Sequence, residues 1–115
     1  MIDAELVPQV AARFKALSDA GRLLLLAALQ RGERSVGELA EAVGRSQPNV
    51  SQHLASLLRS GILAARRQGN RAFYRIADPT VLRICDAVCV SLAAQGADRR
   101  AAPSRMRRRR AGGER

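Results

Sequence analysis

The chain has 115 residues and a formal net charge of +10; 47% of its residues are hydrophobic and only 3% are aromatic. This length predicts one small domain, and the lack of a long apolar run or a secretory pattern argues against a membrane protein and for a cytoplasmic one. With so few aromatic side chains the core has to be built from Leu, Val and Ala, and so small a core favours a homodimer that buries more surface.

Two helices are predicted at the start of the chain. The first runs from about Ala4 to Leu17 and carries apolar residues at helical spacing. The second begins at Ser18 or Asp19 and ends near Gly32. The apolar stripe of the first helix consists of Leu6, Val10, Phe14 and Leu17.

The next segment has the pattern of the first helix of a helix-turn-helix. Ser35 can cap a helix that extends to Val43, and Glu38 stands three residues later, where it completes a capping box. Gly44 and Arg45 then supply a short turn to a second helix.

That second helix begins at Ser46 and ends at Gly61, with Pro48 tolerated in its first turn. Its apolar residues form a stripe that we expect to be buried, made of Val50, Leu54, Leu57 and Leu58.

Its start carries short hydrogen-bonding side chains of the kind that read base edges in a major groove. We therefore assign DNA binding to Ser46, Gln47, Asn49, Ser51, Gln52 and His53. His53 is the only histidine, and a metal or catalytic site would need converging partners, so we interpret it as a DNA-facing or helix-packing residue.

A β-hairpin follows the second helix. The segments Ile62–Arg67 and Arg71–Ile76 are strand-like and flank a turn that contains Gly69. Arg66, Arg67 and Arg71 lie near its tip, where we expect them to contact phosphates or the minor groove. A basic hairpin after a recognition helix predicts a winged helix-turn-helix, mainly α with a small β-hairpin wing.

The last helix opens at Asp78 and Pro79 and continues to about Gln95. Cys85 and Cys89 lie one turn apart on one face of it, a spacing that suits chelation of a soft metal or metalloid such as Cd, Pb, As or Zn. The alternative is that both cysteines only pack, as small buried apolar residues often do. Because the first and last helices carry more apolar surface than one small core can use, they form the predicted dimer interface.

The charge is concentrated at the end of the chain. Residues 99–115 contain eight arginines and one acidic residue, a net +7, whereas residues 1–98 carry twelve basic and nine acidic residues, a net +3. This composition predicts a folded domain over residues 1–96 and a disordered, arginine-rich tail over residues 97–115. The tail is either a solvated extension or a non-specific DNA arm.

Several motifs in this order resemble the ArsR/SmtB family of bacterial metal- and thiol-responsive repressors. The resemblance covers roughly Val10 to Leu92, and the segments that carry it are Ala16–Leu23, Ser35–Ala40, Ser46–Leu54, Ser60–Leu63, Arg66–Arg71 and Tyr74–Ile76. It implies a homodimer that binds a double-stranded DNA operator and is released from it by an inducer.

The resemblance does not identify the inducer. The three cysteines of arsenite-sensing relatives correspond to Ser35, Gly37 and Ala40, and the last-helix histidines of zinc- and cobalt-sensing relatives are also missing. The second-helix cysteine of persulfide-sensing relatives has no counterpart either.

We therefore expect a repressor that senses a soft metal, a metalloid, or a reactive sulfur species or oxidant at Cys85 and Cys89. A third possibility is a redox regulator that forms disulfides between subunits, which differs from a metal sensor in responding to peroxide or sulfide without metal. The alternative is a non-sensing architectural DNA-binding or protein-interaction module. No catalytic constellation is recognisable in the sequence, so an enzyme is not expected.

Overall fold

The computed structural model describes residues 1–96; the predicted tail at 97–115 lies outside the described residues. The chain divides into two compact units, Met1–Leu82 and a second that begins at Arg83. The described elements are α1 (Val7–Leu17), α2 (Ala20–Leu29), β1 (Arg34–Ser35), α3 (Val36–Val43), α4 (Gln47–Arg59), β2 (Leu63–Gln68), β3 (Arg71–Ile76) and α5 (Thr80–Gln95).

The first helix begins later than the sequence indicated. Ala4–Leu6 forms a short 3₁₀ turn, capped by the Asp3 carboxylate, and α1 proper starts at Val7. The break coincides with Pro8, which has no N–H to donate and whose ring would collide with the carbonyl four residues earlier. A proline is therefore accommodated in the first turn of a new helix rather than in the interior of one longer helix.

Side-chain caps set the starts of the next three helices, as predicted. The Asp19 carboxylate accepts a hydrogen bond from the Arg22 N–H at 2.9 Å, which makes Asp19 rather than Ser18 the cap of α2. Ser35 and Glu38 form the expected capping box at α3, and Ser46 caps α4. The turn between α3 and α4 contains Gly44 in the left-handed conformation (φ 70°), which a residue without a Cβ adopts at no steric cost.

The core of the unit Met1–Leu82 lies where α4 packs against α2, α3 and β2. Its fully buried side chains are Leu25, Leu26, Leu39, Val50, Leu54, Leu57, Ile62 and Val81. The predicted stripe of α4 is confirmed except for Leu58, which is only half-buried. A helix turns by about 100° per residue, so with Leu57 facing the core its neighbour lies at the edge of the buried face.

The wing has one strand more than predicted. β2 and β3 form the expected antiparallel hairpin around Gly69, and β1 pairs with the other edge of β3, giving the strand order β1-β3-β2. The hairpin register pairs Arg66 with Phe73 and Arg67 with Ala72. Because β1 consists of only two residues, it shows no alternation in the sequence, and its pairing with β3 depends on the tertiary fold.

The helices described within residues 1–96 are too short or too polar to span a membrane.

Candidate nucleic-acid interface and thiol pair

The start of α4 separates apolar from polar side chains. Val50, Leu54 and Leu57 face the core, whereas Gln47, Ser51 and Gln52 are exposed. The Gln47 amide nitrogen would lie 3.7 Å from a Cβ added to Gly37, so the beginnings of α3 and α4 approach each other. Exposed amides and hydroxyls on the first turns of such a helix can donate to and accept from the edges of base pairs.

Two other predicted DNA-binding residues already have partners within the chain. The Ser46 hydroxyl accepts a hydrogen bond from the Asn49 N–H at 3.2 Å as the cap of α4. The half-buried Asn49 accepts a long hydrogen bond, 3.4 Å, from the Arg45 guanidinium to its side-chain oxygen. Ser46 thus orients the helix, and Asn49 is positioned by an arginine from the turn.

His53 lies against α2 instead of sharing the exposed face. Only 18% of its side chain is accessible, and its Nε2 lies 3.7 Å from a carboxylate oxygen of Asp19. The hydrogen bond from the Arg22 backbone N–H is the main cause that lowers the pKa of Asp19, and the nearby His53 lowers it further. The sequence contained a signal for this placement, because residue 53 stands three positions after Val50 and therefore at the edge of the apolar stripe.

Arg45 and Gly21 complete this junction; the sequence placed Arg45 only in the turn before α4 and indicated no role for Gly21. A Cβ added to Gly21 would lie 2.6 Å from Arg45 Nη1 and 2.9 Å from His53 Nε2. A glycine within a helix often marks a close approach, which is the signal that could have revealed the contact.

The three wing arginines do not act as one cluster. In the register of the hairpin, neighbouring residues point to opposite faces, so Arg66 and Arg67 lie on different sides of the sheet. Arg66 shares its face with Phe73, and its guanidinium lies 4.9 Å from the centre of that ring. Arg71 lies 5.0 Å from the same ring centre.

Arg71 and Arg66 also make polar contacts within the chain. Arg71 donates to the Ser35 hydroxyl at 3.1 Å, which ties the wing to the cap of α3. Arg66 forms an ion pair with Glu33, and that guanidinium is the main cause that lowers the pKa of the Glu33 carboxyl. Arg67 is exposed and makes no hydrogen bond or ion pair with any residue of 1–96.

The two cysteines lie on α5, in the unit that begins at Arg83. Cys85 is half-buried and Cys89 is exposed, and neither is in a disulfide. Burial raises the pKa of the Cys85 thiol, and the neighbouring Cys89 raises it further. Among residues 1–96 no set of three or more His, Cys, Asp and Glu side chains is grouped closely enough to hold a metal ion.

Each unit also exposes apolar side chains. On the surface of α1 and the turn before it lie Leu6, Val7, Val10 and Phe14, the last with 51% of its surface accessible. On α5 the exposed apolar side chains are Val88, Val90 and Leu92.

Comparison with known proteins gives a consistent result. Residues 19–65, from the cap of α2 into β2, match the family model described as bacterial regulatory protein, arsR family. The chain is 47% identical over 75 residues to the "Probable mercury resistance operon repressor" of Streptomyces lividans, covering 64% of this chain and 60% of that protein. It is 39% identical over 87 residues to the biofilm growth-associated repressor of Xylella fastidiosa, covering 76% of each chain.

A solved structure supports the same assignment. The homodimeric winged helix-turn-helix DNA-binding domain of a Mycobacterium bovis protein superposes with a TM-score of 0.72 at 38% identity, over 81% of this chain and 87% of that one. These relatives are DNA-binding regulators and not enzymes. The chain therefore belongs to the arsR family of bacterial regulatory proteins, a family of winged helix-turn-helix transcriptional regulators.

Proposed function

We propose that the chain is a homodimeric transcriptional repressor that binds a double-stranded operator and is released when an inducer binds Cys85 and Cys89. The observation that carries the DNA-binding part is the division of α4 into a buried apolar stripe and an exposed polar start. In this proposal Gln47, Ser51, Gln52 and Asn49 read bases, and Arg67 contacts phosphate from the wing.

The dimer is supported by the exposed apolar side chains. Phe14 and Val10 on α1, and Val88 and Leu92 on α5, would lose contact with water if a second copy covered them. Burial of apolar surface is favourable by about 25 cal/mol per Å². The homodimeric relative from Mycobacterium bovis supports this assembly.

A soft ion is the inducer we propose first for the thiol pair. Two thiols one helical turn apart can both ligate one ion, and thiolate ligands select soft metals. The relative associated with a mercury resistance operon adds Hg(II) to the candidates Cd(II), Pb(II), As(III) and Zn(II).

The proposal is tested on an operator recovered by selection from a random-sequence duplex pool. Fluorescence anisotropy follows the dimer on this duplex while each ion, and separately peroxide or persulfide, is added. We expect one of the soft ions to release the wild-type protein. Cys85→Ser and Cys89→Ser should bind the operator like wild type and resist release, because a thiolate ligand is lost while α4 is unchanged. Ser91→Ala, on the same helix, is the matched control and should respond like wild type.

Linkage supplies a second check. An inducer that weakens DNA binding by some factor must itself bind the DNA-bound dimer more weakly by the same factor. Release that persists in the double serine variant would show that the cysteines only pack. Release by peroxide without metal would point to redox sensing, and equal affinity for operator and random duplex would favour an architectural DNA-binding module.

A further inference from the structure

The ion pair between Glu33 and Arg66 joins the segment before β1 to the wing. Arg66 Nε lies 2.9 and 3.0 Å from the two carboxylate oxygens of Glu33, and Arg66 Nη2 lies 2.5 Å from one of them. The remaining terminal nitrogen, Nη1, donates to the Gln68 side-chain oxygen at 2.9 Å. Most of the donor edge of this guanidinium is therefore occupied in the free protein.

A carboxylate in this position imitates a phosphate. Arginine binds both groups through two parallel N–H donors, so Glu33 uses the edge that a DNA phosphate oxygen would need. The side chains stay accessible to solvent, with 45% of Arg66 and 29% of Glu33 exposed. Exposed ion pairs contribute little to stability, so a duplex can exchange with this one at small cost.

We propose that Glu33 competes with DNA phosphates for Arg66 and thereby weakens the contribution of the wing to binding any duplex. The inference rests on the proposed function, because it requires the wing to face DNA. Arg67 differs from Arg66 in this respect: it lies on the opposite face of the hairpin and has no carboxylate partner among residues 1–96. Two adjacent arginines thus have different availability for phosphate.

Removing the competing charge should strengthen binding. In Glu33→Gln, Arg66 is released to bind a phosphate and displace its counterion, so affinity for a mixed-sequence duplex should rise roughly twofold to fivefold at about 0.1 M salt. The plot of log affinity against log salt should also become steeper by up to ~0.9. Both quantities are measured by anisotropy titrations of the full chain over a range of NaCl concentrations.

Two controls isolate the pair. Glu41→Gln removes the same charge from an exposed position on α3 that makes no hydrogen bond or ion pair with residues 1–96, and it reports the general effect of added net charge. In the second control, Glu33→Gln is made in a protein that already carries Arg66→Gln. The greater part of the gain in affinity from Glu33→Gln should then disappear. A small gain can remain, because the charge of Arg75 also lowers the pKa of Glu33.

The results separate the inference from the proposed function. If wild type fails to bind duplex DNA, the proposed function is wrong. If wild type binds, but Glu33→Gln is no tighter than Glu41→Gln or its gain is undiminished with Arg66→Gln, only the competition is wrong. Should Glu33→Gln fail to fold, as judged by circular dichroism, Glu33→Asp provides the test. Its shorter carboxylate should loosen the pair and give a smaller gain of the same sign; no gain would overturn the inference.

Discussion

At the scale of single residues, Ser35 links two parts of the DNA-binding unit. Its hydroxyl accepts hydrogen bonds from the Glu38 N–H at 3.2 Å and from Arg71 at 3.1 Å, while its own N–H donates to the Glu38 carboxylate at 2.9 Å. Only 5% of Ser35 is exposed, so water cannot readily replace these partners. One small side chain therefore caps α3 and contacts Arg71 near the tip of the wing.

Replacing Ser35 by Ala should lower the free energy of unfolding by about 1–2 kcal/mol, because a helix cap is lost and the part-buried Glu38 N–H and Arg71 donors lose their acceptor. The measurement is urea denaturation followed by circular dichroism. Ser51→Ala is the control, since Ser51 is exposed and should change stability by less than about 0.5 kcal/mol. Equal stability of the two variants would show that the contacts of Ser35 contribute nothing.

The penalty of Ser35→Ala should also depend on pH. The backbone N–H and the hydroxyl of Ser35 lower the pKa of Glu38 from its ordinary value of 4.5. A carboxyl whose pKa is lowered by folding stabilises the protein above its unfolded pKa, and this stabilisation is lost as the pH falls through the folded pKa. Ser35→Ala keeps the backbone N–H, which is the larger cause, and loses only the contribution of the hydroxyl. The difference in stability between wild type and Ser35→Ala should therefore shrink slightly in acid. A constant difference down to strongly acidic pH would contradict this cause.

At the scale of elements, α4 and the wing should contribute different kinds of DNA contact. Gln47→Ala or Asn49→Ala should cost roughly 1–3 kcal/mol on the operator and relax sequence preference, because base contacts are lost. Arg67→Ala should weaken operator and random duplex alike, because phosphates carry no sequence information. Competition titrations with both duplexes measure the two effects. If both groups of variants lose affinity equally on both duplexes, this division of roles is wrong.

The elements themselves were largely predictable from the chain. Capping residues and apolar spacing identified α2, α3 and α4, because those signals act within a few residues of sequence. The third strand and the Glu33–Arg66 pair were not predictable, since their partners are separated by more than 30 positions and meet only in the fold. The orientation of His53 was predictable only in part. Its helical position indicated that it lies at the edge of the buried face of α4, but its contact with Asp19 depends on how α2 packs.

At the scale of the whole molecule, net charge is unevenly distributed along the chain. Residues 99–115 carry +7 of the total +10. A polycation releases counterions from DNA in proportion to the phosphates it neutralises, which makes affinity fall with salt.

Deleting residues 99–115 should accordingly flatten the plot of log affinity against log salt and leave the operator preference and the dimer intact. Anisotropy titrations at several NaCl concentrations give the slope, and sedimentation gives the oligomeric state. Replacing the four arginines at 107–110 by Gln should flatten the slope part of the way. A slope that is the same for all three proteins would identify the tail as a solvated extension.

The close approach at Gly21 limits which residue α2 can carry where it meets Arg45 and His53. Alanine is a better helix former than glycine, and Gly21 is the second residue of α2. The added methyl group, however, would occupy the space now held by the ends of two side chains. These are Arg45, in the turn before α4, and His53, on α4 itself. These side chains are flexible enough to move aside, and Arg45 would then leave Asn49. Glycine at this position therefore leaves room for the ends of Arg45 and His53 beside α2.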